Sequence, residues 1–262
     1  MTQGKQIVGV IHLLPLPGTP CARYTFQEVL NRALLDANAL KSGGVQMAIL
    51  ENFGDAPFVR GRVEPHIISM MTVIGMKVRE LGIDLGVNVL RNDALAALAI
   101  AVAVGARLIR INVHTGAAWT DQGLIQGEAY QTLLYQNRLD ADVAIAADVM
   151  VKHATPAGTR SLLDAVKDTL YRGRAAHIIV TGTATGTTVA IDDLKQLRTA
   201  LPQASIWIGS GVNLDNVRQV MAYADAAIVG TYFHEDGDLL KPLDATKIRL
   251  LLEALESDQQ GE

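Results

Sequence analysis

The sequence predicts a single α/β domain folded as a (β/α)8 barrel, and three observations lead to this prediction. Eight short apolar segments recur along the chain, and most are followed by a stretch with helical periodicity. The 262 residues divide into about 33 per segment, close to the roughly 30 residues of a strand with its crossover helix. No Ser- or Pro-rich linker interrupts the pattern, so one domain is expected over residues 1–262, with a frayed polar tail at 256–262.

The predicted strands are runs rich in Val, Ile, Leu and Ala. Such continuous apolar character is typical of parallel strands that are covered on both faces. The strands are expected at residues 7–12, 46–51, 84–89, 107–113, 143–149, 177–181, 205–209 and 224–229. The main competing architecture is a doubly wound open sheet. It is disfavoured because a proline-rich turn, and no G-x-G-x-x-G motif, follows the first strand.

Helix signals fill the intervals between the strands. Apolar residues recur at helical spacing over 26–41, and the Ser-Gly-Gly that follows is typical of a C-cap. An Asn-Asp pair precedes the alanine-rich segment 94–104, and Ser161 with Asp164 begins a helix that ends at Gly173. Further helices are expected at 191–200, 214–222 and 244–255. The polar connection 115–141 is predicted to be a lid or an extended loop over the barrel mouth.

Composition excludes several classes of protein. With 23 Lys+Arg against 27 Asp+Glu, the formal charge of −4 argues against a nucleic-acid partner and against general attraction to an anionic bilayer. Hydrophobic residues make up 49% and charged residues 19%, which excludes a disordered chain. The single cysteine, Cys21, excludes an intramolecular disulfide framework and is typical of a reducing compartment. These observations predict a cytoplasmic protein.

Polar residues stand at the ends of five consecutive predicted strands, where a barrel of this kind has its active site. Side chains alternate along a strand, so residues two positions apart share a face, and apolar residues precede each polar one. The candidates for a shared pocket are His12, Glu51, Asn88, Arg110, Asn112 and Asp148. Each has an alternative interpretation as a turn former or helix cap. Their coincidence favours the pocket, because an Arg and two carboxylates facing a lumen are costly unless they are paired.

Chemistry suggests a role for each charged candidate. Glu51 and Asp148 are expected to form a general acid/base pair whose pKa values are separated by mutual repulsion and by Arg110. His12 is expected to move protons near neutral pH. Lys152, just past the fifth strand, is expected to meet a phosphate or carboxylate, with a Schiff base as the weaker alternative. No organic cofactor is implied, and a divalent metal held by His12, Glu51 and Asp148 is a minority alternative because the diagnostic ligand spacings are missing.

Glycine-rich turns follow the last three predicted strands. Their residues are Gly182 and Thr183 after strand six, Gly209, Ser210 and Gly211 after strand seven, and Gly230 and Thr231 after strand eight. Barrel enzymes commonly bind phosphate on the backbone amides of the loops after strands seven and eight. The alternative is that the glycines only permit tight turns. Three such turns in succession predict an anion site like that of the ribulose-phosphate-binding barrels, and a phosphorylated small molecule as its ligand.

Five long motifs resemble those of the BtpA family. They are GVIHLLPLP at residues 9–17, ENFGDAPF at 51–58, GVNVLRND at 86–93, DVMVKHA at 148–154 and GSG at 209–211. The resemblance covers nearly the whole chain and includes the SgcQ-like branch of the family. It implies a (β/α)8 barrel, and it brings two functional hypotheses.

The first hypothesis follows from the factor for which the family is named. The resemblance implies a role in the biogenesis of photosystem I, with photosystem I subunits or the thylakoid surface as partners and a peripheral position on the cytoplasmic side of the membrane. The second follows from family members outside photosynthetic organisms, which imply a shared small-molecule chemistry. It is an isomerase, lyase or hydrolase that acts on a phosphorylated sugar or a nucleotide-like compound. A homo-oligomer is expected in either case, because the helices are rich in Ala, Leu and Met.

Overall fold

Eight parallel strands close into a barrel, which confirms the predicted architecture and excludes the open sheet. The structure is a computed structural model that describes residues 5–149, 155–156, 161–182 and 189–256. Each strand pairs with its neighbours in chain order, and the last pairs with the first. The strands are β1 Gln6–His12, β2 Met47–Glu51, β3 Asp84–Asn88, β4 Leu108–Ile111, β5 Ala144–Val149, β6 His177–Val180, β7 Ser205–Ile208 and β8 Ala226–Val229.

Helices surround the barrel, and six of them lie close to predicted positions, whereas no bounds were predicted for α2 and α4. They are α1 Phe26–Gly43, α2 Pro65–Glu80, α3 Ala94–Val104, α4 Ala129–Arg138, α5 Leu162–Lys167, α6 Ile191–Ala200, α7 Val217–Met221 and α8 Ala245–Glu256. A π-helical turn, Asp168–Arg172, continues α5. Glu256 ends α8, whereas the rest of the predicted tail, residues 257–262, lies outside the described residues. In the part of the chain that the structure describes, no helix has the length and apolarity to cross a bilayer.

The connection between β4 and β5 is a hairpin and a helix rather than the extended loop, while the lid stays a prediction, with Asp121 of the hairpin turn lying at the barrel mouth. Strands Ala117–Thr120 and Gly123–Gln126 form an antiparallel hairpin, and α4 follows it. Thr155–Pro156 adds a third, short strand to this sheet. The reason is apolar pairing, because Ala118 and Ile125 face each other across the hairpin and pack on Val113 in a small core of their own. The segment is therefore an ordered rim of the barrel mouth.

Apolar side chains fill the lower part of the barrel. This inner core comprises Val8, Val10, Met47, Ile49, Leu108, Ala146, Ile179, Trp207, Ala226 and Ile228. A larger apolar layer lies between the strands and the surrounding helices. Because the inner core occupies the early and middle positions of the strands, polar side chains at the strand ends stand on an apolar floor.

The loop after β2 packs directly against the loop after β1. Gly54 donates its backbone N–H to the Leu13 carbonyl at 3.0 Å. A Cβ atom built on Gly54 would lie 2.4 Å from Pro15 N and 2.6 Å from Leu13 O. Both are backbone atoms, so no side-chain rotation relieves the overlap. This close approach positions the segment after Glu51 beside the segment after His12.

We therefore expect Gly54→Ala to destabilise the protein by about 1–3 kcal/mol, the usual cost of overpacking. Gly61→Ala is the matched control, since a Cβ there would meet nothing within 4 Å. Urea unfolding of both variants measures the difference in unfolding free energy. Equal stabilities would show that the two loops are not in contact.

Candidate active site at the barrel mouth

A cavity of about 650 Å³ opens at the carboxyl ends of the strands. Ten of the predicted site residues line it, namely His12, Glu51, Arg110, Asn112, Asp148, Gly209, Ser210, Gly211, Gly230 and Thr231. Asn88 and Gly182 are buried and do not line the cavity. Lys152 and Thr183 lie outside the described residues. Phe53, Phe58 and Tyr232 supply aromatic walls that the sequence analysis did not place in the site.

The centre of the site is an ion pair between Arg110 on β4 and Asp148 on β5. Arg110 donates from Nε to Asp148 Oδ2 and from Nη2 to Asp148 Oδ1, both at 3.0 Å. Asn112 Nδ2 donates to the same Oδ2, also at 3.0 Å. This two-pronged geometry is the strongest form of Arg–carboxylate contact. It fixes the guanidinium in the lumen and occupies both oxygens of Asp148.

A buried amide supports this ion pair from β3. Asn88 Nδ2 lies 3.2 Å from Asn112 Oδ1 and 3.0 Å from the Arg110 carbonyl, and it donates to both. The donated hydrogen bond orients the Asn112 amide so that its own N–H faces Asp148. Asn88 therefore acts on the site through Asn112, from beneath the cavity.

Glu51 on β2 is the third charged residue beside Arg110 and Asp148, and one of its carboxyl oxygens makes no hydrogen bond. Its Oε2 lies 3.6 Å from Arg110 Nη1 and is buried without a hydrogen-bond partner. Burial raises the pKa of Glu51, and the nearby Asp148 raises it further, against the opposing effect of Arg110. The protonated carboxyl is therefore favoured more than in water, which suits a proton donor.

His12, at the end of β1, is a neutral imidazole beside this carboxyl, and its lowered pKa is contrary to the prediction that the ring titrates near neutral pH. Burial lowers the pKa of His12 to about 3, and His234 and Arg110 add to the effect. His12 and Glu51 are register partners on adjacent strands. His12 Nδ1 lies 3.2 Å from His234 Nε2, and the edge of Phe53 packs against the ring with centroids 5.0 Å apart. His234 was missed by the sequence analysis because it follows a short 3₁₀ turn beyond β8, where strand alternation gives no signal.

The predicted acid/base pair of Glu51 and Asp148 stays a prediction. The structure shows, however, that both Asp148 oxygens accept hydrogen bonds from Arg110. Glu51 and His12 remain open to a ligand, together with Arg91, Asp121 and Tyr232 elsewhere on the cavity wall. Asp148 is better suited to holding Arg110 in place than to exchanging protons.

The turns after β7 and β8 contribute residues that line the cavity and whose backbone N–H groups make no hydrogen bond to another backbone group. Gly211 has φ +77°, a conformation that favours glycine, and its carbonyl is turned away to accept from Asn216 Nδ2 at 2.8 Å. Within the described ranges, the N–H groups of Gly211 and Thr231 donate to no acceptor. Ser210 Oγ is buried and also lacks a partner there. Donors of this kind are suited to an anion.

The possible cation ligands of the protein are arranged differently from these anion donors. Among the residues that the structure describes, no group of three or more His, Cys, Asp or Glu side chains is placed to hold a metal ion. His12, Glu51 and Asp148 line one cavity. Their nearest charged or ring partners are Arg110 and His234.

Removing the central guanidinium tests the electrostatics of the site. Arg110→Met should reduce the unfolding free energy by about 3–5 kcal/mol at pH 7, because it leaves Asp148 and Glu51 buried without their cation. Arg107→Met is the control, since Arg107 directly precedes β4, the strand that carries Arg110. Arg107 is 70% exposed and contacts Asp84 at 2.9 Å, so its loss should cost about 1 kcal/mol or less.

The loss in Arg110→Met should be largely recovered when Glu51→Gln and Asp148→Asn are added, because both buried charges are then removed. Denaturant unfolding of the wild-type protein and of these three variants gives the comparison. A loss no larger than that of Arg107→Met would contradict the buried ion pair.

Comparisons with known proteins agree with this fold. N-(5'-phosphoribosyl)anthranilate isomerase from Pyrococcus furiosus superposes with a TM-score of 0.60 at 8% identity, covering 97% of this chain and 99% of that one. Thiamine phosphate pyrophosphorylase from the same organism gives a TM-score of 0.60 at 10% identity, with 96% of each chain covered. At such identities the likeness shows the fold alone.

Sequence relatives extend over almost the full chain. The photosystem I biogenesis protein BtpA of Synechocystis is 44% identical over 95% of this chain and 87% of its own length. An uncharacterized protein of Pyrococcus furiosus is 41% identical over 95% and 94%, and the putative sgc region protein SgcQ of Escherichia coli is 28% identical over 95% and 93%. The family model described as the BtpA family matches residues 3–257. The chain therefore belongs to the BtpA family.

Proposed function

We propose that this chain binds a phosphorylated small molecule at the barrel mouth and catalyses acid/base chemistry on it. The substrate class is a phosphorylated sugar or a nucleotide-like compound, and the reaction is an isomerisation, a lyase step or a hydrolysis. One observation carries the proposal: a single cavity combines three features. They are the Glu51 carboxyl with its raised pKa, the neutral His12 imidazole, and turns whose N–H groups donate to no acceptor.

The proposed roles follow from the contacts of each residue. The neutral His12 ring accepts a proton from the substrate, and the carboxyl of Glu51 donates one to a carbonyl or leaving oxygen. Arg110, 3.6 Å from Glu51, stabilises the negative charge that develops on the substrate. Asp148 holds the guanidinium through two hydrogen bonds of 3.0 Å, and Asn112 donates to Asp148 at 3.0 Å, so the guanidinium needs little reorganisation during the reaction. Lys152 and Thr183 stay candidates for further contacts to the phosphate.

The phosphate position is supported by the turns after β7 and β8. The N–H groups of Gly211 and Thr231, with the Ser210 hydroxyl, offer donors on the wall of the cavity that follows β7 and β8, and β8 adjoins β1. A phosphate held there would lie beside His12, because Gly230 contacts the His12 ring. The names of two solved structures with this fold refer to phosphorylated compounds, which is in keeping with such a ligand.

The second candidate is a role in photosystem I biogenesis, favoured by the name of the Synechocystis relative at 44% identity. Under this candidate the chain acts through its surface on photosystem I subunits, at the cytoplasmic face of the thylakoid, and needs no ligand in the lumen. A relative of 41% identity in the archaeon Pyrococcus furiosus favours a chemistry that is not tied to photosynthesis. The ligand experiment below separates the two candidates.

Thermal unfolding in the presence of phosphorylated compounds tests the proposal. Inorganic phosphate, sugar phosphates and nucleoside monophosphates are added singly, and at 100 times its dissociation constant a ligand should stabilise the protein by about 2.7 kcal/mol. Ser210→Asp should abolish this stabilisation, because it places a negative charge among the anion donors. Ser69→Asp adds the same charge on the exposed face of α2 and should leave binding intact.

Two outcomes would contradict the proposal. One is that no compound in the panel stabilises the wild-type protein. The other is that Ser210→Asp and Ser69→Asp respond alike to a stabilising ligand, which would place the ligand elsewhere. Either outcome would favour the surface role.

A further inference from the structure

We propose that His234 holds the proton of the neutral His12 ring on Nδ1, so that His12 presents an unprotonated Nε2 to the cavity as the proton acceptor. In this arrangement His234 is a positioning residue, because it acts through His12. The catalytic meaning of the inference rests on the proposed function, whereas the hydrogen-bond arrangement does not.

The direction of the hydrogen bonds follows from the one partner whose role is fixed. His234 Nδ1 lies 2.7 Å from the Lys241 carbonyl oxygen, which can only accept, so Nδ1 of His234 carries the proton. Burial lowers the pKa of His234, so its ring is neutral and Nε2 bears a lone pair. That Nε2 lies 3.2 Å from His12 Nδ1, which must therefore donate. In a neutral His12 ring the other nitrogen, Nε2, is left without a proton.

The loop that supplies the carbonyl is anchored to α1. Arg32 donates to the carbonyls of Leu240, at 2.6 Å, and of Lys241. Asp36 is fully buried, pairs with Arg32 at 3.0 Å, and accepts from the Leu243 N–H at 3.0 Å. This ion pair holds the chain on both sides of the carbonyl that His234 contacts. The orientation of His12 thus depends on a helix on the outside of the barrel.

Glycine at position 230 lets the His12 ring occupy this position. A Cβ atom on Gly230 would lie 2.5 Å from His12 Cε1 and 3.2 Å from Nε2. Since Nδ1 faces His234, Nε2 and Cε1 lie on the side of the ring that borders the turn after β8. The turn proposed to bind phosphate therefore also borders the proton-accepting nitrogen.

The charges around the pair restrict where a transferred proton resides. Arg110 and Arg32 both disfavour a positive charge on His12. Asp36 and Asp238 favour one on His234, while Arg32 opposes it. When Nε2 of His12 accepts a proton from the substrate, the bonding electron pair stays on the substrate and the His12 ring becomes an imidazolium. The Nδ1 proton of His12 still points at His234 Nε2. Transfer of that proton would move the positive charge to His234, where Asp36 and Asp238 favour it.

Long-range ¹H–¹⁵N spectra of the full chain, labelled on its histidines, test the inference. The wild-type protein should show His12 as the neutral Nδ1–H tautomer at pH 7 and should show no titration of His12 down to about pH 5. His234→Leu removes the acceptor, so His12 should change to a mixture that contains the Nε2–H tautomer. His234→Gln offers an amide oxygen to His12 and an amide N–H to the Lys241 carbonyl, so it should restore the Nδ1–H form.

Variants of His66, which does not contact the pair, serve as the control, and His66→Gln should leave the His12 signals unchanged. A charged His12 at pH 7, or an Nε2–H tautomer in the wild-type protein, would overturn the inference even if His234→Leu fails to fold. An unchanged tautomer in a folded His234→Leu variant would overturn it as well. The predicted tautomer together with no binding of any phosphorylated compound would refute the proposed function and leave the hydrogen-bond arrangement standing.

Discussion

A single guanidinium in the barrel lumen constrains the rest of the candidate site. Arg110 is held by both oxygens of Asp148 and lies 3.6 Å from Glu51, so this guanidinium faces two buried carboxylates, while Arg91 acts more weakly on Glu51. Because Asp148 takes the close hydrogen bonds, Glu51 is left with a buried, unpaired oxygen and a raised pKa. Because Asp148 and Glu51 contact Arg110 differently, these two carboxyl groups are suited to different roles. This difference also directs the search for a proton acceptor to His12.

The fold produces this arrangement by stacking layers along the barrel axis. Apolar side chains fill the lower layers of the lumen, and the polar residues at the strand ends form the layer above them. Close contacts made possible by glycine then bring the loops together, with Gly54 against the backbone after β1 and Gly230 against His12. Glu51, His12 and the N–H groups that donate to no acceptor are thus held by strands and short turns, which limits how far they can move.

The sequence was sufficient to predict the barrel and the residues at its mouth, for a physical reason. Parallel strands covered on both faces must be continuously apolar, and alternation then places His12, Glu51, Arg110 and Asp148 on one side. It was not sufficient to predict which carboxylate pairs with Arg110, since that depends on distances between strands. It also missed His234, because loops carry no periodic signal. The hairpin before α4 gives no strand signal in the sequence, because its strands are only four residues long.

Glu51 is the carboxyl of the site whose pKa stays raised despite the nearby guanidinium of Arg110, and its own titration tests this most directly. Carbon-13 labelling of the glutamate side-chain carboxyls, with Glu51→Gln to assign the signal, gives the pKa in the folded protein. The account predicts a midpoint above the value of about 4.3 for an unperturbed glutamate. A midpoint at or below that value would show that Arg110 compensates Glu51 fully, and would contradict its role as the proton donor.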